Sequence, residues 1–108
     1  MTLAELYTAL TGITGFDKKV VYRAWPVGEA PALPFICYLV DESDNFGADN
    51  IVYKAINRVS VELYSENKDT ASEALIEGMF ETKHLYWEKT ELYLDDERCY
   101  EIIYTIEV

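Results

Sequence analysis

One histidine, two cysteines and twenty carboxylates are the groups in this 108-residue chain that could carry proton, thiol or metal chemistry. His84 stands alone, and general acid–base work by histidine needs a positioned partner that the sequence does not identify. A surface or helix-end histidine is the plain reading. Ser43, Ser60, Ser65 and Ser72 lie in no GxSxG setting. The glycine-rich phosphate loops, GxGxxG and the P-loop, are absent as well. The expectation is a chain with no catalytic residue and no cofactor.

The acidic run from Asp41 to Asn50 supplies the clustered oxygens that hard cations prefer. Its spacing fails the EF-hand template: counted from Asp41, Phe46 falls where the loop needs glycine; counted from Glu42, Tyr53 falls where the bidentate glutamate belongs. No metal is expected, and a solvated connection rich in turn-forming residues explains the run. Phe46 is an aromatic in a polar loop; it either folds back onto the core or anchors a partner. Cys37 and Cys99 lack CxxC spacing and read as two buried thiols, linkable only if their strands are neighbours.

Glu73, Glu77 and Glu81 recur every four residues, an arrangement that costs a few tenths of a kcal/mol per pair on one helix. They read as an acidic face, either merely solvated or placed to repel something anionic.

The elements that would position these groups follow from periodicity and turn chemistry. Thr2 and Glu5 form a capping box ahead of the stripe Leu3, Leu6, Tyr7, Leu10, with Gly12 as the stop. Lys19 to Trp25 reads as a strand, and the proline-rich stretch 27–34 as a loop. Phe35 to Val40 is apolar on both faces, as in a strand covered on each side. Residues 53–64 alternate as one long half-buried strand. A second helix is expected over 70–83, capped by Thr70 with Glu73 and burying Ala71, Ala74, Leu75, Met79 and Phe80. Strands over 85–94 and 98–108 follow, the first with a bulge between Trp87 and Leu92. The order α-β-β-β-α-β-β predicts a single α+β domain spanning residues 1–108, a mostly antiparallel sheet with two helices packed on one face.

The formal charge of −11 is uneven: −2 over residues 1–58 and −9 over residues 59–108. Binding to nucleic acid or to an anionic membrane needs the opposite sign. The start Met1-Thr2-Leu3 lacks a signal peptide's basic and apolar regions, so a cytoplasm is the expected compartment unless a larger assembly carries the chain out.

Pro31-Ala32-Leu33-Pro34-Phe35-Ile36-Cys37-Tyr38, then Asp44-Asn45-Phe46-Gly47-Ala48-Asp49-Asn50 with Tyr53, resemble a family of small tail proteins of long-tailed phages and prophages. The stretches Val59 to Tyr64, Lys68-Asp69, Glu73 with Glu77, and Glu97 to Tyr104 are similar to it too. The resemblance implies a tail terminator or tail-completion protein: a homo-oligomeric ring, typically hexameric, joining the tail tube protein to head-connector proteins while DNA passes without specific binding. It implies assembly in the host cytoplasm and residence in the virion tail or neck. Under it, Pro34, Phe35, Phe46 and Tyr53 are the expected subunit contacts. Asp44, Asn45, Asp49 and Asn50 shape the loop that docks on a neighbour, and Glu73, Glu77 and Glu81 face solvent or the lumen. Two alternatives from other classes stay open: an acidic DNA mimic that inhibits a nuclease or restriction enzyme, and a small ligand-binding domain.

Overall fold

The computed structural model describes residues 1–108. Its first element, helix α1 (Leu3–Thr11), starts at the expected capping box: Thr2 Oγ1 accepts from the Glu5 amide at 3.1 Å, and Glu5 Oε1 accepts from the Thr2 amide at 3.1 Å. Strand β1 (Val20–Tyr22) pairs parallel with β2 (Phe35–Ser43), and residues 23–34 supply the roughly dozen-residue crossover that parallel pairing requires. β5 (Asn57–Ser65) lies antiparallel to β2, β7 (Cys99–Glu107) to β5, and the edge strand β6 (Glu88–Leu94) to β7. The five-stranded order is β1-β2-β5-β7-β6, so the fold is α+β with a mostly antiparallel sheet.

Register explains why both helices take the same face. Ile36, Leu63 and Ile102 stand in one cross-strand row, Tyr38, Val61 and Tyr104 in the next, Val40, Val59 and Ile106 in the third. These three rows form a continuous apolar floor, because directly paired residues share a face. Leu6 and Leu10 of α1 and Ile76 and Phe80 of α2 (Thr70–Thr82) close the core over it.

Helix α2 departs from the expected phase. Its cap is Asp69, not Thr70: the Asp69 carboxylate accepts from the Ser72 amide at 3.0 Å and the Ser72 hydroxyl at 2.7 Å. Its buried face is Ser72, Glu73, Ile76 and Phe80, while Ala71, Ala74 and Leu75 point outward. Polar residues can lie inward here because each has a partner, which removes most of the burial penalty.

Two other expectations are corrected. The long strand over 53–64 is broken at Ala55-Ile56, and the acidic loop is largely a hairpin: β3 (Phe46–Ala48) pairs with β4 (Ile51–Lys54) as a separate two-stranded sheet. The β6–β7 ladder is regular throughout, with no bulge; the irregularities fall at Val40/Glu42 and Phe46/Gly47, around the root of that hairpin. The Cα radius of gyration is 14.7 Å, against ~13 Å for a compact chain of about this length. A projecting hairpin accounts for the excess.

Candidate functional site

The hairpin is built from its turn outward. Asp49 and Asn50 form a two-residue loop with φ of 53° and 64°, the left-handed pair of a type I′ turn, which matches the twist of the flanking strands. Asn and Asp tolerate that conformation better than other side chains. The root is pinned to the main sheet. Asn45 Oδ1 accepts from the Ile56 amide at 3.0 Å, and the Asp44 amide donates to the Ile56 carbonyl at 2.8 Å. Arg58 reaches back from β5 to Glu42 at 2.7 Å and Asp44 at 3.1 Å. Asp44 and Asn45, expected to shape this loop, do so by holding the root of the hairpin in place.

Along the arms, Phe46, Ile51, Val52 and Tyr53 are 58 to 71 % exposed. Phe46 and Tyr53 meet edge to face with centroids 6.3 Å apart, and no part of the core covers either ring. Phe46 does not fold back. Isolated two-stranded hairpins are marginal in water, and four large exposed apolar side chains on one short hairpin, Phe46 and Tyr53 in mutual contact, exceed the scattered surface apolar residues of an ordinary monomer.

Pro34 and Phe35 lie at the other end of β2, about 26 Å away at the usual strand rise. Phe35 is sandwiched between Trp25 at 4.9 Å and Tyr64 at 5.3 Å, ring centroid to ring centroid. The crossover loop arches there over the sheet face that the helices leave free. Beneath it is a cleft of about 640 Å³ lined by Arg23, Trp25, Val27, Leu33, Phe35 and further, mostly apolar, side chains. The expected interface residues thus divide between two places: Asp44, Asn45, Phe46, Asp49, Asn50 and Tyr53 on the hairpin, Pro34 and Phe35 by the cleft.

The acidic face is corrected. Glu73 is 3 % exposed and is gripped by Lys68 at 2.6 Å and Lys89 at 3.1 Å. Glu77 accepts from Lys89 at 2.8 Å and from the Tyr104 hydroxyl at 2.6 Å. Only Glu81 of the three is exposed. Lys68 and Lys89 arrive from outside the helix, so helical spacing alone cannot show the neutralisation. Burial pushes the Glu77 carboxyl up, but its bonds to Lys89 and Tyr104 together outweigh this and hold it below the ordinary value. Its stabilising effect is therefore present above the unfolded carboxylate pKa and is lost as pH falls through the lower folded value. Tyr104→Phe, which deletes one of those bonds, should lower stability at pH 7 more than at pH 3.5 and so flatten the loss of stability in acid below about pH 4.5; urea midpoints at pH 3.5 and 7 check this, and an unchanged difference between them contradicts it.

On the helix-free face, β5 and β7 bring together a second carboxylate cluster. The Tyr64 hydroxyl donates to Glu101 at 2.8 Å and lies 3.4 Å from Glu62. Burial first, then the hydrogen bond and charge of Glu101, push the Glu62 carboxyl up to about 7. Folded chains therefore hold more protons than unfolded ones between about pH 4.5 and 7. The associated stability is complete below 4.5 and lost as pH rises through 7. Glu62→Gln should flatten that dependence and raise stability at pH 8 by on the order of 1–2 kcal/mol, solvent screening on an open face allowed for. Equal pH dependence in variant and parent by chemical denaturation would refute this.

Cys37 and Cys99 are both free and buried, and β5 lies between their strands, so no disulfide joins them. Burial, and then Glu62 and Glu101, push the Cys37 thiol up to about 11. Alkylation of Cys37 at pH 8 should be at least ~10-fold slower in the folded chain than in urea, since the thiolate is the nucleophile.

No helix is long and apolar enough to cross a membrane. No protein-family model matches the sequence, and no curated protein does.

Proposed function

We propose that the chain is a structural assembly protein, a ring-forming tail terminator or tail-completion protein at the head–tail junction of a long-tailed phage or prophage. One observation carries the self-assembly part: a hairpin with Phe46, Ile51, Val52 and Tyr53 uncovered, rooted firmly enough by Arg58, Asp44 and Asn45 to present them. Burying such side chains is worth ~1.5–3 kcal/mol each, a strong drive toward a partner. The head–tail station comes from the sequence resemblance. The hairpin adds to it, because the residues that carry the resemblance between Asp44 and Tyr53 form this one projecting unit.

In this role the chain performs no catalysis. The Glu62–Glu101 pair lies on an open strand surface, and of its cluster only Tyr64 lines the cleft. A DNA mimic needs an extended array of free carboxylates, and on α2 that array is interrupted at Glu73 and Glu77 by lysines. A small ligand-binding domain has the cleft in its favour, since about 640 Å³ suits a small molecule.

The test is to add the purified protein to tail tubes lacking a terminator and view them by negative-stain electron microscopy. The expected result is a ring-shaped cap at tube ends, with tube length then fixed. Bare ends at saturating protein would overturn the assignment to the tail.

A further inference from the structure

The hairpin and the cleft lie at opposite ends of β2, so one copy's hairpin cannot fill its own cleft. Both are apolar: Phe46, Ile51, Val52 and Tyr53 are exposed on one, while the other is an open cleft lined by half-buried Trp25, Leu33 and Phe35 with Val27 fully exposed at it. Their charges also correspond. The hairpin carries one anion, Asp49, and one cation, Lys54; the cleft carries one cation, Arg23, and one anion, Glu97. Every close ion pair in the molecule uses Arg58, Lys68 or Lys89, which leaves these four groups unpaired.

We infer that the β3–β4 hairpin of one copy docks in the cleft beneath the 23–34 loop of the next. The inference rests on the assembly reading above and names the surfaces that would carry it. Two copies of a chain with a net charge of −11 repel at most approaches. Contact between two patches that are each neutral overall avoids that cost, and Asp49 at the hairpin tip meets its opposite charge in Arg23. Such a contact uses different surfaces on the two partners, so it repeats head to tail and ends only when the rotation closes a ring. Hairpin-to-hairpin pairing, by contrast, would stop at a dimer.

Two variants test it. Phe46→Ser with Tyr53→Ser removes the hairpin's anchors and leaves the cleft; Val27→Glu places a charge at the cleft and leaves the hairpin. All three positions are exposed, and circular dichroism checks that each variant folds. By light scattering, each variant alone should remain a single chain where the parent assembles. Mixed in equal amounts, they should form a species of two chains and nothing larger, one intact hairpin meeting one intact cleft. A mixture that stays monomeric, or a Val27→Glu chain that assembles like the parent, overturns the contact while leaving self-assembly intact. A parent that is itself monomeric at every concentration overturns both.

Discussion

Replacing Phe46 and Tyr53 together by serine should weaken self-association by at least ~100-fold while leaving the fold in place. Each aromatic ring offers ~1.5–3 kcal/mol on full burial, and anchors of this kind carry most of an interface's energy. Two of them therefore amount to more than the ~2.7 kcal/mol that a hundredfold change requires. The isolated chain loses little: both side chains are exposed, and their mutual edge-to-face contact is worth ~1 kcal/mol. Sedimentation velocity across a concentration series, with a urea melt on the same samples, separates association from stability. Association unchanged by the double substitution would remove the hairpin from the interface. A matching loss of stability would make it part of the fold instead.

The second large effect concerns the phase of α2. Ile76→Ala should cost ~2–5 kcal/mol, because Ile76 is fully buried between the helix and the sheet. Leu75→Ala, one residue earlier and 46 % exposed, should cost no more than ~1 kcal/mol. Set against a typical total of ~5–15 kcal/mol, the first change endangers folding and the second does not. Urea midpoints for the two variants decide between the observed phase and the one the sequence suggests. A larger loss at Leu75 would restore the latter.

That contrast shows why α2 was the least legible element. Ala71, Ala74 and Leu75 make a convincing apolar stripe, whereas the true inner face begins with Ser72 and Glu73. Glu73 can lie inside only because Lys68 and Lys89 reach it, and Lys89 comes from the edge strand β6. Those partnerships depend on tertiary packing, which periodicity does not record. Elements governed by local chemistry were plain: the Thr2–Glu5 capping box, and the alternation of Ile102, Tyr104 and Ile106 that places them in the core.

The hairpin lies between these cases. Asp49 and Asn50 carry its turn chemistry, but arms of three and four residues are too short for alternation to separate from a loop. Phe46 stood out as an aromatic in a polar loop, Tyr53 as an expected contact only through the resemblance, and the structure places the two side by side. Ile51 and Val52 escaped notice because they fall between the acidic run 41–50 and the strand expected over 53–64. The Glu62–Tyr64–Glu101 cluster had no sequence signal, since only the β5–β7 register, with Tyr64 opposite Glu101, assembles it. The cleft was equally silent: Trp25 and Phe35 meet through the path of the crossover loop.

Self-assembly through the exposed hairpin is the central claim, and the solution mass of the unmodified chain tests it most directly. Light scattering should show the 12.4 kDa chain giving way, as concentration rises, to one closed multiple of about six copies that grows no further. A mass that stays at one chain at all concentrations, with tail tubes present or absent, would contradict it.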